Sequence, residues 1–186
     1  MGFEFYPATP GRWPDIERLF GNRGACGGCW CMSWRKPKRE FESDKGARNR
    51  EALRAIVAAG PPPGVLAYSG SEPIGWCAVA PRSVYVRLAS SRVLKPIDDA
   101  PVWSVSCLFV AKPYRRQGLS ADLLRAAADF VKTQGGTIVE GYPAAPKDYL
   151  PDAFVWTGLP GSFRAAGFRK TRGGSASRPI YRYDIR

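Results

Sequence analysis

Along this chain, apolar and polar residues alternate in some stretches and recur at helical spacing in others, which divides it into short strands and amphipathic helices. Phe3 to Pro7 alternates and predicts a first strand. Trp13, Ile16, Leu19 and Phe20 recur at helical spacing after Pro10-Gly11, predicting a short helix over Trp13 to Phe20. A glycine- and cysteine-rich stretch follows. Leu53, Ile56 and Val57 then predict a helix over Asp44 to Ala59. Gly60-Pro61 stops it, because proline lacks the N–H that a helix needs. Gly64 to Tyr68 and Ile74 to Ala80 flank Ser69-Gly70-Ser71-Glu72-Pro73, whose turn residues predict a hairpin. Val84 to Val93 fits a helix or a strand equally well.

The second half of the chain is more regular. Val102 to Val110 is an apolar run that reads as a central strand. Leu119, Leu123, Leu124, Ala127, Ala128 and Val131 share one face, so Leu119 to Lys132 predicts an amphipathic helix. Thr137 to Gly141 reads as a buried strand. Tyr142 to Gly161 is rich in proline and aromatics and too long for a plain connector. Ser162 is placed to cap a short helix through Ala166. Phe168 to Thr171 and Ile180 to Asp184 close the sheet around Gly173-Gly174-Ser175. No internal repeat is evident. The sum is an α/β three-layer fold on a mixed sheet, expected as one domain over residues 1–186.

Composition narrows the setting. No run of eighteen apolar residues exists, so no membrane span is predicted. Met1 to Tyr6 lacks the basic and then apolar pattern of a secretion signal. Five cysteines, an odd number, favour reduced thiols and a cytoplasmic protein. Lys and Arg number 28 against 16 Asp and Glu, and there is no histidine, for a net charge of +12. Clusters lie at Arg35-Lys36-Pro37-Lys38-Arg39 and Arg169-Lys170-Thr171-Arg172, followed by Arg178, Arg182 and Arg186. Charge of this sign draws acidic partners, RNA included, or merely solvates the surface.

The most informative stretch is Arg115-Arg116-Gln117-Gly118-Leu119-Ser120, between the strand of Val102 to Val110 and the following helix. The first helical turn has N–H groups without intrahelical partners, and its dipole favours an anion. Two arginines add charge, and a glycine without Cβ allows a ligand close to the backbone. The element is therefore a candidate pyrophosphate site. It is neither of the common phosphate loops: no Gly-x-x-x-x-Gly-Lys-Ser/Thr run exists, and only one glycine is present where a dinucleotide loop needs three.

Arg115-x-x-Gly118-x-Ser120 resembles the acyl-coenzyme A loop of the GNAT superfamily of N-acetyltransferases, Arg/Gln-x-x-Gly-x-Gly/Ala, with Ser in the last small position. Val110-x-x-Pro113-Tyr114-Arg115 leads into it as that superfamily's fourth strand does. Gly136-Thr137-Ile138-Val139-Glu140 is similar to the next strand, and Phe163-Arg164-Ala165-Ala166-Gly167-Phe168 to the late Gly-Phe signature. Cys29-Trp30-Cys31-Met32 with Gly75-Trp76 resembles a bacterial subgroup that carries a Cys-Trp-Cys-Met segment.

The resemblance implies a three-layer α/β/α fold with a mixed, mostly antiparallel sheet splayed between strands 4 and 5. It also implies transfer of an acetyl group from acetyl-coenzyme A to a small-molecule or peptide amine, by direct attack on the thioester. By position, the main chain of Leu108, Phe109 and Val110 would serve the thioester and pantetheine, and Arg115, Arg116, Gln117, Gly118, Leu119 and Ser120 the pyrophosphate. A preorganised N–H donor stabilises a developing oxyanion by about 3–4 kcal/mol.

Acid and base are harder to place. Without histidine, Glu140 at the end of the fifth strand is the first candidate base, with Asp98, Asp99 or a water chain as rivals. A structural, hydrogen-bonded Glu140 is the other reading. The family often has a tyrosine four residues before the last glycine to protonate the thiolate; here that residue is Phe163, so Tyr142 or Tyr149 would have to substitute. A thiol of pKa about 8.5 also leaves readily unaided.

Cys26-x-x-Cys29-x-Cys31 invites a metal reading, but a fourth ligand is wanted and Cys77 and Cys107 fall in predicted strands, so no metal is expected. Trp30, Met32 and Trp34 are read as apolar walls of an acceptor pocket, with Arg35 holding a substrate carboxylate or phosphate; core packing of the same aromatics is equally consistent. Cys107 is expected to line the thioester channel. Two other functions fit the chain. The +12 charge suits action on aminoacyl-tRNA, as acceptor or aminoacyl donor. Phe163 and the unclear base suit a non-catalytic module that binds coenzyme A or nucleic acid.

Overall fold

Seven strands form one open sheet in the order β1-β2-β3-β4-β5-β7-β6. They are β1 (Glu4–Pro7), β2 (Gly64–Ser69), β3 (Glu72–Pro81), β4 (Trp103–Val110), β5 (Ile138–Gly141), β6 (Arg169–Gly174) and β7 (Pro179–Asp184). The computed structural model describes residues 2–146, 148, 150–151 and 154–186. All strand pairs are antiparallel except β4 with β5, which is parallel. Among the described residues the α-helices are α1 (Trp13–Phe20), α2 (Lys38–Ser43), α3 (Ala47–Ala59), α4 (Val86–Ala89), α5 (Leu119–Thr133) and α6 (Pro160–Ala165).

The central strands are buried on both faces, which is why they read as nearly continuous apolar runs. On one face Val65 and Ala67 of β2, Cys77 and Val79 of β3, Val105 and Leu108 of β4, and Val139 of β5 meet the apolar stripe of α5. Leu119, Leu123 and Leu124 are fully buried there, each contributing about 2 kcal/mol. On the other face Leu66, Tyr68, Trp76 and Ala78 meet Trp13, Ile16 and Phe20 of α1 and Leu53 and Val57 of α3. The result is the expected α/β/α sandwich.

The helix expected over Asp44 to Ala59 starts three residues later, as α3 at Ala47, because Gly46 at φ +89° turns the chain first; a separate short helix, α2, precedes it over Lys38–Ser43. The ambiguous stretch from Val84 resolves into a 3-10 turn (Arg82–Val84) and α4. The late helix starts at Pro160 rather than at a Ser162 cap. Leu159 is its N-cap, and no side chain caps it. Proline's fixed φ suits a first helical turn, whose N–H needs no partner.

Two irregularities in β4 prepare the site. Its pairing with β3 shifts register between Ala78↔Cys107 and Val79↔Val105, leaving Ser106 as a bulge. Its pairing with β5 spans only Trp103↔Val139, Ser104↔Glu140 and Val105↔Gly141. From Ser106 to Val110 the two strands diverge, as the resemblance implied. Bulges re-aim the groups that follow them and end pairing, which frees backbone donors for a ligand.

Candidate active site

The divergence opens a cleft of about 510 Å³ lined by Leu108, Phe109, Val110, Arg115, Arg116, Gly118, Leu119 and Ser120. Thus eight of the nine positions expected to serve a cofactor share one cavity. Gln117 does not line it; its side-chain amide donates to the Pro113 carbonyl at 2.8 Å and braces the turn. Arg115 Nε donates to the Val110 carbonyl at 2.9 Å, tying the loop to the end of β4. Arg116 (φ +61°) and Gly118 (φ +85°) are both left-handed. That backbone pattern gathers N–H groups into an anion-binding concavity. Gly118 is the N-cap of α5, and no side chain caps the helix, so its first-turn N–H groups are open to a ligand.

Further walls come from segments whose role spacing did not reveal. Arg23, Ala25 and Cys26 approach from the loop after α1, Lys112 and Tyr114 from the turn after β4, and Val155, Trp156, Gly158, Leu159 and Ser162 from the proline-rich segment. The Leu108 N–H, one of three main-chain positions expected to serve the thioester and pantetheine, donates to the Trp156 carbonyl at 2.6 Å.

On the opposite face of β4 lies a polar network. Glu140, the first candidate base, is 1% exposed and enclosed. Arg182 donates to its Oε1 from Nε at 3.1 Å and from Nη2 at 2.6 Å, Tyr142 donates to its Oε2 at 3.0 Å, and Arg82 stands 3.6 Å from Oε2. The physical reason is β7, which places Arg182 directly across from Glu140 in the antiparallel pair. Both carboxylate oxygens are therefore engaged, which fits the structural reading of Glu140.

The Tyr142 hydroxyl also receives Arg82 Nη1 at 2.6 Å and lies 2.8 Å from Ser104 Oγ. Burial first, then the Glu140 charge, raises the Tyr142 phenol above its ordinary value, so it remains protonated at neutral pH. Asp98, a rival base, is paired with Arg182 at 2.7 Å, and that hydrogen bonding holds its carboxyl below the ordinary 3.8. Tyr149 lies outside the described residues. Phe163 is fully buried and packs against Phe168 and Tyr181. A Cβ on Gly141 would lie 2.1 Å from its ring, so glycine at the end of β5 makes room for it. Phe163 is thus a core residue.

The cysteine-rich segment splits between core and site. Trp30 and Met32, expected on a pocket wall, are buried in the core beneath α1, where Trp30 stacks on Trp13 and tilts against Phe20. Left-handed backbone at Trp30 and Cys31 turns them inward, a reversal that spacing does not disclose. Trp34 and Arg35 stay half-buried beside Tyr142 and Tyr85. Cys107 faces Cys31, and hydrogen bonding to that thiol, then burial, raises its pKa; burial pushes Cys29 up to about 11. These thiols are poorly ionised and unsuited to nucleophilic work. Among the described residues, no three Cys, His, Asp or Glu side chains are grouped to hold a metal ion, and no helix is long and apolar enough to cross a membrane.

The hydroxyl-bearing Ser104 and Ser106 in an otherwise apolar strand, and Arg182 in a strand of buried partners, were the sequence signals of this network. The model of the family described as "Acetyltransferase (GNAT) family" matches residues 30–143, more than half of the chain. No curated protein matches in sequence. Among solved structures, a GNAT-family acetyltransferase from Streptococcus agalactiae is similar with a TM-score of 0.59 at 13% identity, covering 100% of this chain and 96% of that one. PaiA N-acetyltransferase from Thermoplasma acidophilum, in complex with coenzyme A, gives 0.52 at 14% identity with 100% of both chains covered. Arabidopsis thaliana NAA60, in complex with acetyl-CoA, gives 0.52 at 16% identity with 99% and 100% covered. At such identities the likeness is one of fold.

Proposed function

The chain belongs to the GNAT family of acetyltransferases, and from that premise we propose that it moves an acetyl group from acetyl-coenzyme A to an amine by direct attack on the thioester. The observation that carries the reading is the cleft itself, which joins the uncapped start of α5, Arg116 and the free end of β4 in one cavity. Two structural neighbours hold coenzyme A or acetyl-CoA. In this reading the pyrophosphate lies on Gly118, Leu119 and Ser120 with Arg116 and Lys112 beside it, and the pantetheine runs along Val110 and Phe109.

The thioester oxygen takes the Leu108 N–H, displacing the Trp156 carbonyl. The amine nitrogen bonds to the acyl carbon as the carbon–sulfur bond breaks; the nitrogen's proton passes to water, and water returns one to the sulfur. The Tyr142 hydroxyl donates its hydrogen bond to Glu140 and does not line the cleft, so the thiolate, whose thiol has a pKa of about 8.5, leaves unaided. Glu140 is assigned to positioning Tyr142, since both its oxygens are engaged. Action on aminoacyl-tRNA keeps the same cleft and changes the partner.

Calorimetric titration with acetyl-CoA at moderate salt is the test. Saturable micromolar binding, about 8 kcal/mol, is expected. No binding would remove the donor assignment.

A further inference from the structure

An aromatic cluster faces the acceptor side of β4. Trp34 meets Tyr142 at 5.5 Å, Trp156 at 5.7 Å and Tyr85 at 6.5 Å between ring centroids. Trp34 and Trp156 are only half-buried, so part of each ring is open to a ligand. The cluster is continuous with the cofactor cleft, because Trp156 also lines the latter.

Beside these rings stands an unmatched cation. The Arg35 guanidinium lies 5.0 Å over the Tyr85 ring, half-buried. Among the described residues no carboxylate pairs with it and no acceptor receives its donors, although a guanidinium presents five N–H groups. Its neighbours are differently placed: Arg182 is held by Glu140 and Asp98, and Arg82 by Tyr142, Glu140 and the Leu94 carbonyl. Arg178 donates only to the Tyr142 carbonyl and Thr157. Arg82 and Arg182 thus take Glu140 and Asp98, while among the described residues Arg35 and Arg178 have no carboxylate partner, and the surplus charge is positive.

A second, independent feature marks the same spot. The Tyr85 hydroxyl is fully buried and has no well-aligned hydrogen-bond partner among the described residues, with Ser106 as its adjacent hydroxyl. A poorly paired buried hydroxyl is costly, and a ligand oxygen would relieve that cost. Arg35 and the bulged Ser106 are the polar groups beside it. Ser106 precedes Leu108 by two residues, about 7 Å along a strand. An anion held by Arg35 and Tyr85 therefore stands a short reach from the carbonyl to be attacked. A long spacer between anion and amine would overshoot it.

Resting on the transferase reading, we propose that Arg35, Tyr85 and the Trp34–Trp156 rings form the acceptor subsite, and that the acceptor is an aromatic α-amino acid. The carboxylate binds Arg35 in bidentate form and takes the Tyr85 hydroxyl, the ring lies against Trp34 and Trp156, and the α-amine is directed to the thioester.

The test follows thiol release from acetyl-CoA with L-tryptophan, L-phenylalanine, tryptamine, phenethylamine and L-alanine. Each aromatic amino acid should exceed both its decarboxylated counterpart and alanine at least tenfold in kcat/KM. Arg35→Ala should raise KM for the amino acids tenfold or more and remove their advantage over tryptamine and phenethylamine. Trp34→Ala should abolish the preference for tryptophan over alanine. Arg35→Lys, which keeps the charge but not the fork, should fall between, and it serves if the alanine variant fails to fold. Tryptamine matching tryptophan, an unchanged carboxylate preference in the Arg35 variants, or acetyl-CoA binding without turnover of the amino acids would each overturn the proposal. Absence of acetyl-CoA binding would instead remove the transferase reading, and this proposal with it.

Discussion

On the cofactor side of β4, the strand end, the turn and the first helical turn come mostly from one stretch, residues 108–120, and most of what they offer is backbone. On the acceptor side, Arg35, Tyr85, Ser104, Glu140, Tyr142, Trp156 and Arg182 arrive from separate strands and loops, and what they offer is side chain. The first kind of site is set by local conformation, so short-range spacing reveals it. The second exists only once the sheet has formed, because charge and ring partners are drawn from distant positions. Family membership accordingly speaks to the donor more than to the acceptor.

The largest expected effect lies on the acceptor side. Glu140→Gln leaves Arg82 and Arg182 with reduced compensation in a buried setting, and should cost about 3 kcal/mol of stability in urea denaturation. Wild-type stability would mean that the side-chain network is not what holds this region together. Next comes the backbone side. Gly118→Val places a β-branched residue at φ +85°, where strain of about 2 kcal/mol converts to roughly thirtyfold weaker acetyl-CoA binding by calorimetry. No Cβ clash accompanies it, so the sheet should persist with unchanged circular dichroism. Unaltered affinity would break the assignment of the loop.

The smallest effect sharpens the electrostatic part. Arg182 depresses the Asp98 pKa, so this carboxylate contributes stability above its unfolded value of about 3.9 and loses it as pH falls through the lower folded value. Asp98→Asn should therefore melt slightly below wild type at pH 7, with the two converging as pH drops below about 4. A gap that persists at pH 2 would assign the effect to packing rather than charge.

Legibility followed the same division. Leu119 to Lys132 was readable because its stripe recurs every turn, and the structure extends it by one residue. The start of α3 was placed three residues early and α2 was not expected, since neither the left-handed Gly46 nor a six-residue helix leaves a periodic signature. Trp30 and Met32 were left open between a pocket wall and the core, because apolar composition cannot tell one from the other. Glu140 was correctly placed at the end of β5, but its two arginines lie 58 positions before it and 42 after it in the chain. Neither has a spacing that points to it.

By itself, then, the sequence determined most of the order of strands and helices, the glycine-bearing basic turn that opens α5 and the family, because each rests on periodicity or on residues within a short stretch. Only the tertiary structure decided which side chains meet across β4. It buried Glu140 between two arginines, set the Trp156 carbonyl on the Leu108 N–H, and left Arg35 above Tyr85 without a counter-charge among the described residues. Such pairings depend on sheet register and loop closure, and their energies arise from desolvation that no isolated segment experiences.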